Sequence, residues 1–173
     1  FEFREISNEQ KKENEKKKIF KTLGMLMFTG VSSVTFSDTI DSKLSTVWDK
    51  TFSKSDKVIY EKVTYYNRYG IKIVADLYMP KDIDKSKKYP AIIVGPPYGG
   101  VKEQGAGIYA QTMAERDFVA ISFDPSYNGE SGGEPRHVSS PDIFVEDFSA
   151  TVDFLGLKSY IDREKNWSYW YLW

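Results

Sequence analysis

The sequence contains no cysteine, which excludes disulfides, thiolate metal sites and a cysteine nucleophile for the chain as written. Its single histidine, His137, argues against a histidine-rich metal site. Neither sign of charge is in excess, because 24 basic and 25 acidic residues leave a net charge of −1. No surface is therefore committed to nucleic acid. The sequence indicates no metal, no cofactor and no nucleic-acid partner.

Charge is instead concentrated at the start of the chain. Residues 8–18, NEQKKENEKKK, form a solvated run, and residues 19–37 are first basic, then apolar, with small residues near their end. This order makes residues 16–37 resemble an export signal, although Lys21 interrupts the apolar run and no A-x-A cleavage site follows. An amphipathic N-terminal helix is the alternative. The first alternative predicts an exported or periplasmic protein of bacterial type, and the second a cytoplasmic one.

The apolar stretch is shorter than the ~20 residues that a membrane-spanning helix requires, so a transmembrane span is not expected. Four segments follow from these patterns. They are a charged N-terminal segment with the signal-like stretch at 1–37, a polar linker at 38–56, an α/β domain at 57–165 and an atypical tail at 166–173.

Two β-branched and aromatic runs open the domain. Residues Val58–Tyr66 and Ile71–Met79 are joined by turn residues at 67–70, which predicts an antiparallel hairpin. Residues 91–95, AIIVG, and 118–123, FVAISF, are continuous apolar runs typical of strands that are covered on both faces.

Two helices are expected between and after these strands. Residues 104–117 carry apolar side chains at helical spacing, namely Ile108, Tyr109, Met113 and Ala114. Residues Pro141–Leu157 are predicted as a second helix, with Ser140 as its N-cap. Its buried face is expected to consist of Phe144, Phe148, Val152 and Leu155. Hairpin, strand, helix, strand and helix make the opening half of a mixed-sheet α/β fold.

Four segments carry a resemblance to a known family. NRYGIKIVADLYMPKD, GPPYGGVKEQ, FDPSYNGESGGEPR and EDFSATVDFL closely resemble the dienelactone-hydrolase-like branch of the α/β hydrolase superfamily. The likeness runs from about residue 57 to Lys165, nearly two-thirds of the chain. It implies the N-terminal half of an α/β-hydrolase fold with an incomplete mixed sheet, truncated before the nucleophile elbow. The full-length relative would hydrolyse a small-molecule ester or related carbonyl bond through an acyl-enzyme.

Gly129-Glu130-Ser131-Gly132-Gly133 fits the letters of the G-x-S-x-G elbow, yet its context does not fit. An elbow requires a strand entering the turn and a helix leaving it. Five residues separate Phe123 from Gly129, and the sequence after Ser131 starts no helix. Ser131 is therefore expected to be a solvated serine in a glycine-rich loop. The resemblance places the triad histidine late in a longer chain, so His137 is expected to be a partly exposed loop residue.

The last eight residues, NWSYWYLW, are a poor strand-to-turn segment where the resembling family has a strand and its elbow. Tryptophan has the single codon TGG, which becomes the glycine codon GGN when the frame shifts by one base. Removing one A from an A-run at Lys165 would give K-I-G-V-I-G-I-C-G, an apolar strand entering a Gly-x-Cys-Gly turn. A frameshift, natural or from sequencing, and a genuine divergent tail are the alternatives.

By the resemblance, the loop after AIIVG supplies oxyanion donors. Pro96 and Pro97 have no N–H, so Tyr98 and Gly99 are the first candidates, while Gly100 lets the backbone approach a bound carbonyl. A simple tight turn is the alternative. Glu130 and Arg136 are expected as a pair in the second loop, either an ordering ion pair or a solvated one.

Three functions follow from these features. The first is a catalytically incomplete part of an α/β hydrolase, without nucleophile or triad. The second is a non-catalytic domain whose GPPYGG cleft binds a ligand or partner, and the third is a hydrolase that uses Ser131. A missing fifth strand would leave AIIVG as an open apolar edge, which predicts aggregation or chaperone binding.

Overall fold

The computed structural model describes residues 47–170, with the side chains of residues 47–165. The predicted export signal, the start of the linker and the last three residues of the tail lie outside the described residues. Five strands and two helices follow one another along this part of the chain. They are β1 Val58–Tyr66, β2 Lys72–Pro80, β3 Tyr89–Gly95, α1 Gly107–Ala114, β4 Val119–Phe123, α2 Pro141–Gly156 and β5 Ile161–Trp170.

The strands form one mixed sheet in the order β1-β2-β4-β3-β5. β1 and β2 are antiparallel, with Val58 opposite Pro80 and Tyr66 opposite Lys72, so the predicted hairpin is confirmed. β4 runs antiparallel to β2 and parallel to β3. The parallel strands therefore place their carboxyl ends at one edge of the sheet.

The turn between β1 and β2 is organised by Asn67. Its Oδ1 accepts hydrogen bonds from the backbone N–H groups of Tyr69 and Ile71, both at 3.0 Å. Gly70 has φ 72°, a left-handed conformation that glycine adopts without steric cost. The residues at 67–70 that predicted a turn therefore form the turn between β1 and β2.

Side-chain alternation along the strands divides the core between the two faces of the sheet. On one face α2 packs Phe148, Phe154 and Leu155 against the strands. On the other face lie the small residues of the α1 side, Ala106, Ala110 and Ala114. Both faces are covered, which is the arrangement that continuous apolar strands require.

Part of the predicted linker packs against the α1 side of the sheet. Trp48 and Phe52 contact the core cluster there, and the indole N–H of Trp48 donates to the Phe52 carbonyl at 2.7 Å. The side-chain amide of Gln111, in α1, donates to the Ser53 carbonyl and accepts from the Ser55 N–H. This segment is therefore tied to α1 by polar contacts as well as by burial.

β5 corrects two predictions. Residues 161–170 form a strand parallel to β3, with Ile92 opposite Trp167 and Gly95 opposite Trp170, so the prediction of a poor strand-to-turn segment was wrong for its strand part. Aromatic residues are enriched in strands, so this composition is compatible with a strand. The predicted open edge at AIIVG was also wrong, because β5 covers β3 and is itself the outermost described strand. Aggregation and chaperone binding stay predictions. An uncovered edge of β3 is no longer a reason to expect them.

The first predicted helix is shorter and less regular than expected. α1 covers Gly107–Ala114, and an irregular π-helical turn, Lys102–Ala106, precedes it. Ile108 is exposed, because the buried face consists of alanines and Gln111 instead of the larger apolar residues. Small side chains allow the helix to lie close to the sheet.

α2 has the predicted start and ends one residue early, at Gly156. Ser140 precedes it in an extended conformation, but the predicted side-chain cap is not formed. Val152 is exposed and Phe144 only half-buried, whereas Phe148 and Leu155 are buried as predicted. The buried face also contains polar residues, because Asp147 and Thr151 have buried hydrogen-bond partners. Neither described helix has the length and apolarity needed to cross a membrane.

Candidate functional site

A cavity of about 380 Å³ lies at the carboxyl ends of β3 and β4. Ligands in open α/β sheets bind at this edge, outside the carboxyl ends of the parallel strands. Three segments line the cavity, namely the loop after β3, the loop after β4 and the start of α2. The lining residues are Pro96, Pro97, Tyr98, Gly99, Gly100, Phe123, Pro125, Asn128, His137, Val138, Ser139, Pro141, Phe144, Val145 and Phe148.

The loop after β3 brings the predicted donors to this cavity. Tyr98 is 75% exposed and Gly99 has φ 74°, with open space where a side chain would begin. The Gly100 N–H donates to the Pro97 carbonyl at 2.8 Å, so Gly100 closes the turn. Among the described residues, the N–H groups of Tyr98 and Gly99 meet no acceptor. Two uncommitted backbone donors therefore belong to residues that line the cavity.

Ser131 is buried, with 2% of its surface exposed, so the prediction of a solvated serine was wrong. Its Oγ accepts a hydrogen bond from the Val74 N–H at 2.8 Å and donates to the Asp124 carbonyl at 2.7 Å. These bonds tie the loop after β4 to β2. Because Ser131 is not among the lining residues, its hydroxyl has no access to a molecule in the cavity.

Glu130 and Arg136 both order the second loop, through partners outside the expected pair. Glu130 accepts from Lys62 at 2.6 Å and from Lys102 at 2.7 Å. The Arg136 guanidinium donates to the backbone carbonyls of Gly129 and Ser131. Each charge meets a partner that the sequence pattern did not indicate, because both partners become neighbours only in the folded sheet.

His137 is an exposed loop residue that lines the cavity. Its backbone N–H donates to the Tyr127 carbonyl at 2.9 Å, and its φ of 61° lies in the left-handed region. That conformation is uncommon for a residue with a side chain. The Ser131 hydroxyl donates to the Asp124 carbonyl and not to the imidazole, so within the described residues the two side chains do not form a nucleophile–base pair.

A fully buried lysine, Lys102, links the two loops beside the cavity. Its ammonium donates to Asp124 and Glu130, both at 2.7 Å, and also to Glu103. Its backbone N–H donates to the other oxygen of Asp124 at 2.9 Å, and the Glu130 N–H donates to Asp124 at 2.8 Å. The Asp124 carboxylate thus holds the segment after Gly100 against the loop after β4.

The charges of this cluster shift the pKa values of its members. Burial alone would lower the pKa of Lys102, but the Asp124 carboxylate and the hydrogen bonds to all three acids raise it above its ordinary value. Burial likewise works to raise the pKa of Glu130, and the hydrogen bonds from Lys102 and Lys62 outweigh it and keep that pKa low. Both groups are therefore held in their charged forms.

Glu103, Asp124 and Glu130 also place one carboxylate oxygen each within 4.8 Å of one another. Such an arrangement is compatible with a bound cation. Lys102 donates to all three carboxylates, however, so its ammonium already supplies the positive charge at their centre. We therefore assign the cluster to loop positioning.

A second buried network fixes α2, which forms one wall of the cavity. The Asp147 carboxylate accepts from the Ser126 N–H and hydroxyl, both at 2.7 Å, and from the Asn67 amide at 2.9 Å. Burial raises the pKa of Asp147, although these three hydrogen bonds favour its charged form. The network joins α2 to the β1–β2 turn and to the loop after β4.

No family model matches the sequence. An uncharacterized protein of Pseudomonas aeruginosa is 56% identical over 134 residues, which cover 78% of this chain and 36% of that protein. A thiohydrolase of Eupenicillium brefeldianum is 35% identical over 81 residues, or 47% of this chain and 26% of the enzyme. The chain thus spans about a third of the length of the curated relatives it matches.

Solved structures show the same architecture. The crystal structure of the Pseudomonas aeruginosa protein matches with a TM-score of 0.70 and 57% identity over 73% of this chain and 39% of that one. An α/β hydrolase from a Penicillium species matches with a TM-score of 0.57 and 18% identity over 65% of this chain and 37% of that one. The described residues form part of an α/β-hydrolase fold. Within this α/β-hydrolase fold, the cavity lies at the edge of the sheet where strands of one direction end.

Sequence reasoning missed the residues that position the loops of this α/β-hydrolase fold. Asp124 directly follows a buried strand, a placement that marks polar residues at the ligand-binding edge. Lys102 lies in the quoted segment GPPYGGVKEQ, but nothing in its neighbourhood indicates that a lysine there is buried. Its burial depends on Asp124 and Glu130, which approach it only through the parallel pairing of β3 and β4.

Proposed function

We propose that the described residues supply the oxyanion side of a hydrolase site of the dienelactone-hydrolase-like branch. In the whole protein this site would cleave an ester or a related carbonyl bond of a small molecule through an acyl-enzyme. The supporting observation is the pair of uncommitted N–H groups of Tyr98 and Gly99, two residues that line a mainly apolar cavity. Donors of this kind stabilise the negative charge that develops on a carbonyl oxygen during acyl transfer.

The relatives support this chemical class. They include a thiohydrolase and an acyltransferase, and a solved acetyl xylan esterase shares the fold. Thioester cleavage, ester cleavage and acyl transfer all pass through a tetrahedral oxyanion at a carbonyl carbon. They differ in the leaving group and the acceptor, which the described residues do not specify.

We further propose that the nucleophile follows β5 in a longer reading frame. β5 and β3 are parallel, and Gly95 lies opposite Trp170, so the two strands reach the cavity edge at the same level. A turn placed after β5 would therefore lie beside the loop that carries Tyr98 and Gly99. Without such a nucleophile the covalent route is absent.

Hydrolysis of p-nitrophenyl acetate tests both proposals. The gene is sequenced downstream of codon 165, and the extended frame, the 173-residue chain and its Ser131→Ala variant are purified. We expect turnover from the extended protein and none from the two shorter ones. Turnover by the 173-residue chain that Ser131→Ala abolishes would overturn the assignment, as would an inactive extended protein that carries an intact elbow.

A ligand-binding domain without catalysis is the second candidate function. The observation that favours it is that three segments of the described residues already line the cavity. Saturable binding of an aryl ketone to the 173-residue chain, combined with an inactive extended protein, would select this candidate. Turnover by the extended protein would exclude it.

A further inference from the structure

Apolar side chains form most of the cavity lining. Four aromatic side chains, four prolines and two valines line it, and the other lining residues are glycines and the three polar residues Asn128, His137 and Ser139. Among the described lining residues there is no Asp, Glu, Lys or Arg. A ligand inside this cavity therefore gains free energy mainly from apolar burial.

The charged residues near the cavity are already committed elsewhere. Lys102 is saturated by carboxylates, and Arg136 donates to backbone carbonyls of its own loop. Asp147 accepts three hydrogen bonds on the far side of α2 from solvent. A charged group placed between the apolar side chains, away from the polar lining residues, would lose its hydration without gaining a charged partner, which is strongly unfavourable.

The aromatic walls also favour a flat ligand. Phe123 and Phe148 meet edge to face, with ring centroids 4.9 Å apart and planes at 85°. Phe148 can take this position because residue 95 is glycine, where a side chain would begin 2.4 Å from the end of the ring. A third ring that enters the cavity can extend this packing with the edge-to-face or offset geometry that aromatic rings prefer.

The loop after β3 adds backbone donors to the three polar residues of the lining. The N–H groups of Tyr98 and Gly99 provide two donors, and a carbonyl oxygen is the acceptor that suits them without bringing a charge. We propose that the cavity binds an uncharged aryl group joined to a carbonyl, so that the substrate class is an aryl ester or thioester. The step from ligand to substrate rests on the proposed function, whereas the binding preference stands on the lining alone.

Two pairs of ketones that are not hydrolysed test the binding preference without any turnover. 4-Nitroacetophenone and 4-acetylbenzoate have nearly the same shape, but only the second carries a negative charge at the end away from its ketone. Acetophenone and cyclohexyl methyl ketone differ in the aromaticity of the ring. Affinities are measured on the ¹⁵N-labelled 173-residue chain by titration of the amide shifts of Gly99 and Phe148.

We expect 4-nitroacetophenone to bind at least ~10-fold more tightly than 4-acetylbenzoate, because the carboxylate is desolvated without a partner. We expect acetophenone to bind ~2- to 10-fold more tightly than cyclohexyl methyl ketone, which cannot make the ring–ring contacts. Equal affinities within the first pair would overturn the preference for an uncharged ligand. Equal affinities within the second pair would overturn the preference for an aryl group.

A matched pair of variants places the ligand in this cavity. Val145 and Val152 are both exposed on α2, two helical turns apart, but only Val145 lines the cavity. Val145→Lys should tighten 4-acetylbenzoate binding by ~2- to 5-fold and leave 4-nitroacetophenone within ~2-fold. Val152→Lys should change neither affinity, and an equal effect of the two variants would overturn the location.

The outcomes separate this inference from the proposed function. Preferential binding of the uncharged aryl ketones together with an inactive extended protein supports the ligand class and rejects the hydrolase. An active extended protein that prefers p-nitrophenyl acetate over p-nitrophenyl benzoate, with no binding of acetophenone, rejects the ligand class and retains the hydrolase.

Discussion

Ser131 Oγ joins β2 to the loop after β4, since it accepts from Val74 and donates to Asp124 at the same time. A hydroxyl that both donates and accepts a buried hydrogen bond stabilises its loop. The same bonds make it a poor nucleophile toward a carbonyl carbon. The same loop is tied from its outer side by Arg136, which donates to the carbonyls of Gly129 and Ser131. Its glycine-rich sequence is therefore fixed by polar contacts instead of apolar ones.

Ser131→Ala should destabilise the chain and leave its chemistry unchanged. The substitution leaves the buried Val74 N–H without its acceptor, which costs ~1–3 kcal/mol. Urea unfolding measures the loss, and labelling by a fluorophosphonate probe should be equal in the two proteins. Ser149→Ala, at an exposed position of α2, is the control and should change stability by less than ~0.5 kcal/mol. Labelling that disappears only in Ser131→Ala would contradict this assignment.

Glu130→Gln should lower stability at neutral pH and have a smaller effect in acid. The folded pKa of Glu130 is below its unfolded value, because Lys102 and Lys62 outweigh the effect of burial. The carboxylate therefore contributes stability above its unfolded pKa of ~4.3, and this contribution is lost as pH falls through the folded pKa. Urea unfolding at pH 7, 5 and 3 measures the difference between the two proteins.

The exposed Glu134 provides the control for this pH dependence. Glu134→Gln should change stability at pH 7 by less than ~0.5 kcal/mol. The raised pKa values of Asp76 and Asp147, which come from burial, are common to all three proteins and cancel in the comparison. A stability difference for Glu130→Gln that grows toward pH 3 would contradict the lowered pKa.

Individual residues show which contacts could be predicted from the sequence alone. The turn at Asn67 and Gly70 was predictable because its hydrogen bonds join residues at most four positions apart. The partners of Glu130 were not, since Lys62 and Lys102 lie 68 and 28 residues away in sequence. Non-local charge pairing depends on strand order, which a single sequence does not state.

At the level of elements, the packing of β3 against α2 depends on one glycine. Gly95 ends β3, and the Phe148 ring of α2 occupies the space where a side chain at residue 95 would lie. The same ring forms part of the cavity wall. The strand end, the helix and the cavity therefore share a single close contact.

Gly95→Ala should destabilise the chain by ~1–3 kcal/mol, because the added methyl group would begin 2.4 Å from Phe148 Cζ and force the ring to move. Thermal unfolding measures this cost, and aryl ketone binding should weaken as the wall shifts. Gly105→Ala is the matched control, since nothing lies within 4 Å of its added carbon. Equal melting temperatures for the two variants would show that Phe148 gives way freely.

The strand β5 was not predicted from the sequence. The hairpin strands β1 and β2 are indicated by their β-branched and aromatic residues and by the turn residues between them. Both strands were predicted to within one residue. β5 has an atypical composition, and its strand conformation comes from pairing with β3, about 70 residues earlier in the chain. Tertiary pairing overrides weak local signals of this kind.

Across the whole molecule, Lys102 connects three parts that are distant in sequence. It bonds to Asp124 after β4, and Glu130 shares its carboxylate between Lys102 and Lys62 of β1. A charge cluster of this kind is destabilised most when one partner is removed and the others stay buried. The sheet order β1-β2-β4-β3-β5 brings these groups together.

Lys102→Met should cost ~3–5 kcal/mol, because Asp124 would keep its buried charge without the ammonium. Urea unfolding provides the measurement. Lys81→Met, at an exposed lysine, should cost less than ~0.5 kcal/mol. The double variant Lys102→Met/Asp124→Asn should lose less than the sum of the two single variants. Strictly additive losses would show that the two side chains do not interact.

The complete burial of Lys102 has a practical consequence for following the motion of the two loops. A primary amine that water does not reach is shielded from acylating reagents, while the lysines on the surface react at once. The rate at which Lys102 is acylated can be measured by mass spectrometry of its peptide. This rate therefore reports how often the loops beside the cavity separate in solution. A bound aryl ketone that bridges those loops should slow this reaction without changing the reactivity of Lys81.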